Sequence, residues 1–266
     1  MQLDKFAKTA VQDIVGGAFN WRLWSWLGWK DTRLRYRRTL IGPFWQTLSM
    51  AIFVGALGFL YSNFWNMEVS VFIPYLTAGM TAWILINTIV TESTAIFVAS
   101  TPFIMQKGMP YSTFVYQVIH RNVVVFFHNL IVFVLVMVVF GVYPTVSLLF
   151  LIPSLALFML NALWVALLVG TLCTRFRDFG NLIVSILQII FFITPVFWIP
   201  EQAGSRKVLF VDPNPFYHFI ELIRAPLLGH PPTMMNWAVT IGTLVVGSCL
   251  TLIIFGRFRS RIPYWI

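Results

Sequence analysis

Four arginines, Arg33, Arg35, Arg37 and Arg38, crowd into a short stretch just before an apolar run that opens at Ile41. Guanidinium groups hold phosphate oxygens in charge-assisted, often bidentate pairs, so such a cluster can carry a phosphorylated headgroup. Plain attraction to anionic lipid asks for the same residues. The two accounts part at substitution by lysine, which keeps the charge and loses the fork. Little else in the chain offers reaction chemistry. It has no G-x-x-x-x-G-K-[ST] run, hence no phosphate-cradling loop of its own. Cys173 and Cys249 lie in or beside apolar stretches without metal-ligand spacing and read as packed thiols, so no metal site is expected. His120, Arg121 and His128 are the ionisable residues inside apolar runs. Arg121 is expected to snorkel to the nearer membrane surface, and His128 to be a neutral, hydrogen-bonded packing residue. No such run has Asp or Glu at its middle. Ionisable groups at that depth cost about 2.5–3.5 kcal/mol each and persist for use. A proton or sodium relay and a paired-carboxylate hydrolase are therefore poorly supported.

The elements that position these residues must live in lipid. Of 266 residues, 59% are hydrophobic and 10% are charged, against about a quarter charged in soluble domains. An all-α, polytopic fold follows, since spanning segments must satisfy their backbone polar groups within helices. Six runs are long enough: Ile41 to Phe64, Val71 to Thr91, Tyr116 to Phe140, Ser147 to Leu172, Asn181 to Ile199 and Asn236 to Phe255. With the N-terminus inside, the cytoplasmic segments hold Lys5, Lys8, Arg22, Lys30, the four arginines above, Lys107, Arg175, Arg177, Arg257, Arg259 and Arg261, and the external ones only Arg206, Lys207 and Arg224. This bias places both termini in the cytoplasm. It also makes a membrane surface, rather than nucleic acid, the partner implied by the net charge of +9. Residues 1–40 form a cytoplasmic interfacial segment, 41–255 the six-helix transmembrane domain and 256–266 a cytoplasmic tail. No cleaved signal peptide is expected, because the N-terminal segment lacks an uninterrupted apolar core ending in small residues.

Trp21, Trp24, Trp26 and Trp29 alternate with Arg22 and Lys30 in a stretch too polar to cross. An amphipathic helix lying along the membrane face fits indole and basic preferences, with a cytoplasmic helix packed on its neighbours as the alternative. Between the fifth and sixth spans, the segment Pro200 to Met235 is rich in proline. From Pro215 to Gly229, Phe216, Phe219, Ile220, Ile223 and Leu227 recur at helical spacing in a stretch too short to span. Short external re-entrant or gate helices are expected there, with Glu221 and Arg224 paired at i, i+3 on the polar side.

Three segments together resemble the membrane subunits of ABC-2 type polysaccharide exporters. They are DTRLRYRRTLIGPFW from Asp31 to Trp45, RDFGNLIVSILQIIFFITPVFWIP from Arg177 to Pro200, and NPFYHFIELIRAPLL from Asn214 to Leu228. The resemblance implies a transport permease and no enzyme: a homodimer in the bacterial inner membrane, paired with two copies of a separate nucleotide-binding subunit that supplies ATP and Mg chemistry. This chain itself would hold no cofactor. The cargo implied is a glycan on undecaprenyl pyrophosphate, and the Arg-Tyr-Arg-Arg-Thr run is more like the O-antigen branch than the capsule or teichoic acid branches. On this reading Arg33, Arg35, Arg37 and Arg38 meet the lipid carrier. Phe103, Met105, Lys107 and Gly108 lie in a segment, Thr94 to Tyr111, that resembles the family's coupling helix; Phe216, Phe219, Glu221 and Arg224 form an outer gate. Sugar CH faces stack on aromatic rings. Trp45, Phe53, Tyr61, Phe64, Phe191, Phe192, Phe197 and Trp198 are accordingly candidates for the channel wall, although aromatic belts arise at any membrane interface. An ABC-2 permease for a small hydrophobic drug or lipid, and a passive channel or scaffold without an ATPase, are the alternatives.

Overall fold

Lipid offers no partner for a backbone N–H, so each long apolar run closes its hydrogen bonds on itself as a helix. The computed structural model describes all residues except 1, 36, 38, 43, 65, 66, 107, 202, 203, 205 and 206. It is 83% helical, with no strand among the described residues. In chain order the helices are α1 (Gln2–Phe19), α2 (Trp21–Arg35), α3 (Phe44–Phe64), α4 (Val69–Ser93), the single turns α5 (Ile96–Ala99) and α6 (Thr101–Ile104), α7 (Ser112–Phe140), α8 (Leu151–Arg175), α9 (Asp178–Ile193), α10 (Lys207–Phe210), α11 (Pro215–Leu227), α12 (Met234–Phe258) and α13 (Ile262–Trp265).

Five of these, α3, α4, α7, α8 and α12, are long and apolar enough to cross a membrane. They match the expected first four spans and the sixth. The expected fifth span is shorter. α9 has 16 residues, about 24 Å at 1.5 Å each against a hydrocarbon core of roughly 30 Å. It stops at Thr194, whose ψ of 136° is extended, because the residue before a proline is driven from the helical region.

α4 is the central helix and packs against α3, α7, α8, α9 and α11. Its apolar stretch is 67% buried, against 22% for α3, α7 and α12. Small residues make this possible: Thr77, Ala78, Gly79, Thr81 and Ala82 are all buried, so neighbouring backbones approach closely. Their hydroxyls are satisfied locally, Thr77 Oγ1 donating to the Ile73 carbonyl at 2.7 Å and Thr81 Oγ1 to that of Thr77 at 2.8 Å. α7 ends at Gly141, whose φ of 68° is the left-handed cap that glycine adopts without a Cβ clash.

The N-terminal pair is docked. α1 lies against α7 and α12, and α2 runs along α7. Trp24 turns inward onto Tyr116 and His120, with ring centroids 5.9 and 5.5 Å apart, while Trp21, Trp26 and Trp29 stay exposed. Packing on neighbours thus describes one face of this segment, and the indoles occupy the other. In α1, Asp13 is buried. Its carboxylate accepts the Tyr111 and Ser112 N–H groups at 3.1 and 2.9 Å, which caps α7, and pairs with Arg259 just beyond α12. Arg259 also lies over the Tyr111 ring at 4.9 Å.

Candidate functional site

Three places concentrate the chemistry: the junction of α9 with α11, a cleft on α2, and the turns between α4 and α7. At the junction, Asn214 is the N-cap of α11, its Oδ1 accepting the Phe216 N–H at 3.0 Å, and Pro215 follows at a position that needs no donor. The same side chain donates from Nδ2 to Thr194 Oγ1 at 2.9 Å, tying the start of α11 to the end of α9.

Arg224 departs from expectation. It pairs with Glu221 as the spacing predicts, but on a buried face rather than a polar one: its side chain is 1% exposed. Nε and Nη2 donate to Glu221 Oε1, and Nη1 donates to the Pro195 carbonyl at 2.8 Å. The guanidinium carbon lies 4.1 Å from the centroid of the Tyr75 ring. Tyr75 in turn donates to the carbonyls of Pro195 and Trp198 at 3.4 and 3.3 Å. Gly79 makes room, for a Cβ there would stand 3.0 Å from the Val196 oxygen and 3.3 Å from Arg224 Nη1. One desolvated guanidinium therefore satisfies a carbonyl freed by the Thr-Pro break and holds α11 inside the bundle. Next to it, burial and then the Glu221 charge push the Tyr217 phenol up to about 12. Phe216 tilts against Trp83 of α4 and Phe219 packs edge-on against Phe158 of α8, at 6.3 and 5.7 Å, so the four proposed gate residues share α11 but not one partner helix.

On α2 and just past its end, Trp26, Trp29, Lys30, Arg33, Leu34 and Arg37 line a cleft of about 430 Å³. The five within α2 fall on one helical stripe. Lys30 Nζ stands 5.0 Å over the Trp26 ring, and Arg33 and Arg37 are exposed. Arg38 and the side chain of Arg35 lie outside the described residues. The structure thus joins two of the four arginines to a lysine and two indoles, where the sequence reading gave the tryptophans a membrane-surface role or, as the alternative, packing on neighbours.

Behind this cleft, Arg121 is paired. It bridges two carboxylates, donating from Nη1 to Asp31 of α2 at 3.0 Å and from Nη2 to Glu92 of α4 at 2.7 Å. Gln117 and Asn122 complete the set on Asp31 and Glu92 respectively. His128 bonds its Nδ1 to the Val124 carbonyl at 2.7 Å, as a packing histidine does. In the turns after α4, Ile96, Phe97 and Ile104 are buried, the first two against Gly170 of α8. Phe103 and Met105 are exposed, and Gly108 has a φ of 109°. Lys107 lies outside the described residues.

Of the proposed channel aromatics, Phe191, Phe192 and Phe197 form a cluster with centroids 5.3 to 5.9 Å apart. Tyr61 joins Phe197 at 5.7 Å, Trp83 joins Phe191 at 5.3 Å, and Trp198 donates to the Phe192 carbonyl. Trp45 and Phe53 are exposed on other turns of α3, and Phe64 is exposed at its end. Trp83, Tyr75 and Gly79 were not singled out by sequence, since nothing in the linear order of α4 marks which face meets α9 and α11.

Residues 22–228, from the second helix to the end of α11, match the ABC-2 type transporter family. The chain belongs to that family. All three places described above fall within the matched residues. As an ABC-2 permease it is a transport component whose ATPase resides in a separate subunit, and a multi-pass membrane protein. It is similar to two proteins of Klebsiella pneumoniae, each named O-antigen export system permease protein RfbA. One is 21% identical over 233 residues and the other 20% over 236, in both cases covering 87% of this chain and 90% of the relative.

Proposed function

We propose that this ABC-2 permease exports polysaccharide carried on undecaprenyl pyrophosphate, O-antigen in particular, across the bacterial inner membrane. It acts as a homodimer with two copies of an ATPase subunit, which bind ATP and Mg. Both termini face the cytoplasm, and α9 with the turn residues after it makes a sixth crossing. The observation that carries this reading is the α2 cleft, where Lys30, Arg33 and Arg37 stand beside two exposed indoles. Guanidinium and ammonium groups hold the pyrophosphate and the indoles stack on the first sugar, a pairing that a small apolar cargo does not need. Arg35 and Arg38 extend the same basic stretch toward α3. The Phe191, Phe192 and Phe197 cluster offers faces on which a glycan slides, the α11 junction forms the outer gate, and Phe103, Met105, Lys107 and Gly108 receive the motion of the ATPase. The similarity to two permeases named for O-antigen export agrees with this cargo.

Lysine substitution tests it. In cells lacking their own permease, Arg33→Lys or Arg37→Lys is expected to lose surface O-antigen while the subunit still inserts and still co-purifies with its ATPase. Normal export by both would make the cleft a membrane anchor and move the carrier site elsewhere.

A further inference from the structure

A second cavity, of about 300 Å³, lies between α4, α8 and α9 and is roofed by Phe216 and Phe219 of α11. Its size is at the lower end of pockets that hold small ligands, about 300–1,000 Å³. Ile183, Ile186, Leu187 and Ile190 supply the α9 wall. They fall at i, i+3, i+4 and i+7, a single stripe, so the cavity is behind α9 on its bundle side. Leu182, Ile189, Phe192 and Ile193, exposed, belong to the rest of its surface. A second copy of the chain meeting that outer surface would leave the slot untouched.

The lining offers a polar ligand nothing. Asn161 is its one polar side chain, and that amide is already engaged: Nδ2 donates to the Leu157 and Thr240 carbonyls at 3.0 and 3.3 Å, and Oδ1 accepts from Trp164 Nε1 at 2.9 Å and Thr243 Oγ1 at 3.3 Å. The one other heteroatom there, the Trp164 indole nitrogen, is used in that bond. Water has no reason to enter, and an unfilled apolar void forfeits dispersion contacts in proportion to its size. Nor does α9 close it, since Leu187 alone of its 16 residues is buried. The walls are formed by α4 and α8, both long and apolar enough to cross a membrane, and Ile186 at 43% exposure marks an opening at the surface of the bundle.

We infer that this slot is a binding site for one acyl chain of a membrane phospholipid, which stands between α9 and the rest of the bundle. The inference depends on the chain's being a membrane protein and not on its cargo. An α9 that rests on a fluid chain can shift against α4 without breaking a polar contact on that side, and the junction at Thr194 and Arg224 holds its outer end.

The full chain is reconstituted with its ATPase subunit in phosphatidylethanolamine and phosphatidylglycerol vesicles containing a trace of phosphatidylcholine with a diazirine on the acyl chain. After photolysis, adducts are mapped by mass spectrometry. Adducts are expected on Val165, Val169 and Leu187, and separately on the exposed Leu135 and Val138 of α7 as controls outside the slot. Ala162→Phe, which fills the slot, should abolish the first group and leave the second; Val165→Trp serves if that variant does not insert. Adducts confined to the controls, or slot adducts that survive both fillings, would overturn the site. Labelling of the slot by a diazirine-bearing polyprenyl phosphate, at equal trace concentration and not by the phospholipid, would overturn the assignment to phospholipid.

Discussion

Arg224→Ala tests the buried junction most directly. Removing one partner of a buried ion pair costs about 3–5 kcal/mol, because the other is left uncompensated. Here the lower end applies, since Glu221 keeps 17% side-chain exposure and can rehydrate. The Pro195 carbonyl loses its 2.8 Å donor and retains only the Tyr75 hydroxyl at 3.4 Å, and the contact with the Tyr75 ring disappears. A loss of about 3 kcal/mol, at roughly 2–4 °C per kcal/mol for a chain of this size, lowers the unfolding midpoint by about 6–12 °C. Arg224→Lys keeps the charge, but one ammonium cannot serve Glu221 and Pro195 with the same fork, so an intermediate loss is expected. Tyr75→Phe removes two long hydrogen bonds and keeps the ring, for about 1 kcal/mol. The assay is fluorescence-detected unfolding of the purified subunit in detergent, with cysteine accessibility at position 216 as a local reading. A midpoint for Arg224→Ala within experimental error of the native protein, with position 216 still protected, would refute the role given to this residue.

Glu92→Gln should destabilise the packing of α4 on α7 around Arg121 more than Asp31→Asn, because Glu92 is 17% exposed and Asp31 34%, so its pair is less screened by water; thermal melts with the reverse order would contradict this. Phe103→Ala and Met105→Ala should leave membrane insertion intact while ATP hydrolysis no longer drives export, and retained coupling in both would remove this segment from the transmission path. In a Cys249→Ser background, a cysteine at Met235 should react with an external impermeant maleimide and one at Ser260 should not. The opposite pattern would invert the topology.

Much of the fold was legible because the hydrophobic signal of a membrane helix is long and one-sided in composition. α3, α4, α7, α8 and α12 each sit where an apolar run sat. The end of α9 was overrun, although the Thr194-Pro195 dipeptide that stops it was in plain view; apolar residues on both sides of the break kept the run continuous. The site was read less completely. Arg37 and Arg33 were visible as a basic cluster, yet the indoles of Trp26 and Trp29 join them only once α2 is wound. The partners of Arg121 and the burial of Arg224 were missed for one reason. Their counter-charges and carbonyl partners, Asp31, Glu92 and Pro195, come from other elements, and a charge in an apolar run carries no mark of whether water or a partner receives it. Asp13 had no signal at all, since its partners are a helix start 98 and 99 residues away and an arginine 246 away.

That last separation orders events during synthesis. Asp13 leaves the ribosome long before Tyr111 and Ser112, and Arg259 follows only after α12 has been made. Until then the carboxylate lacks its cation and its full burial is costly, and α1 cannot lie against α12 before α12 is in the membrane. α1 therefore completes its contacts only after α12, although it is made before it. A chain that stalls before α12 can dock α1 only on α7, and leaves the Asp13 carboxylate without the arginine that neutralises it.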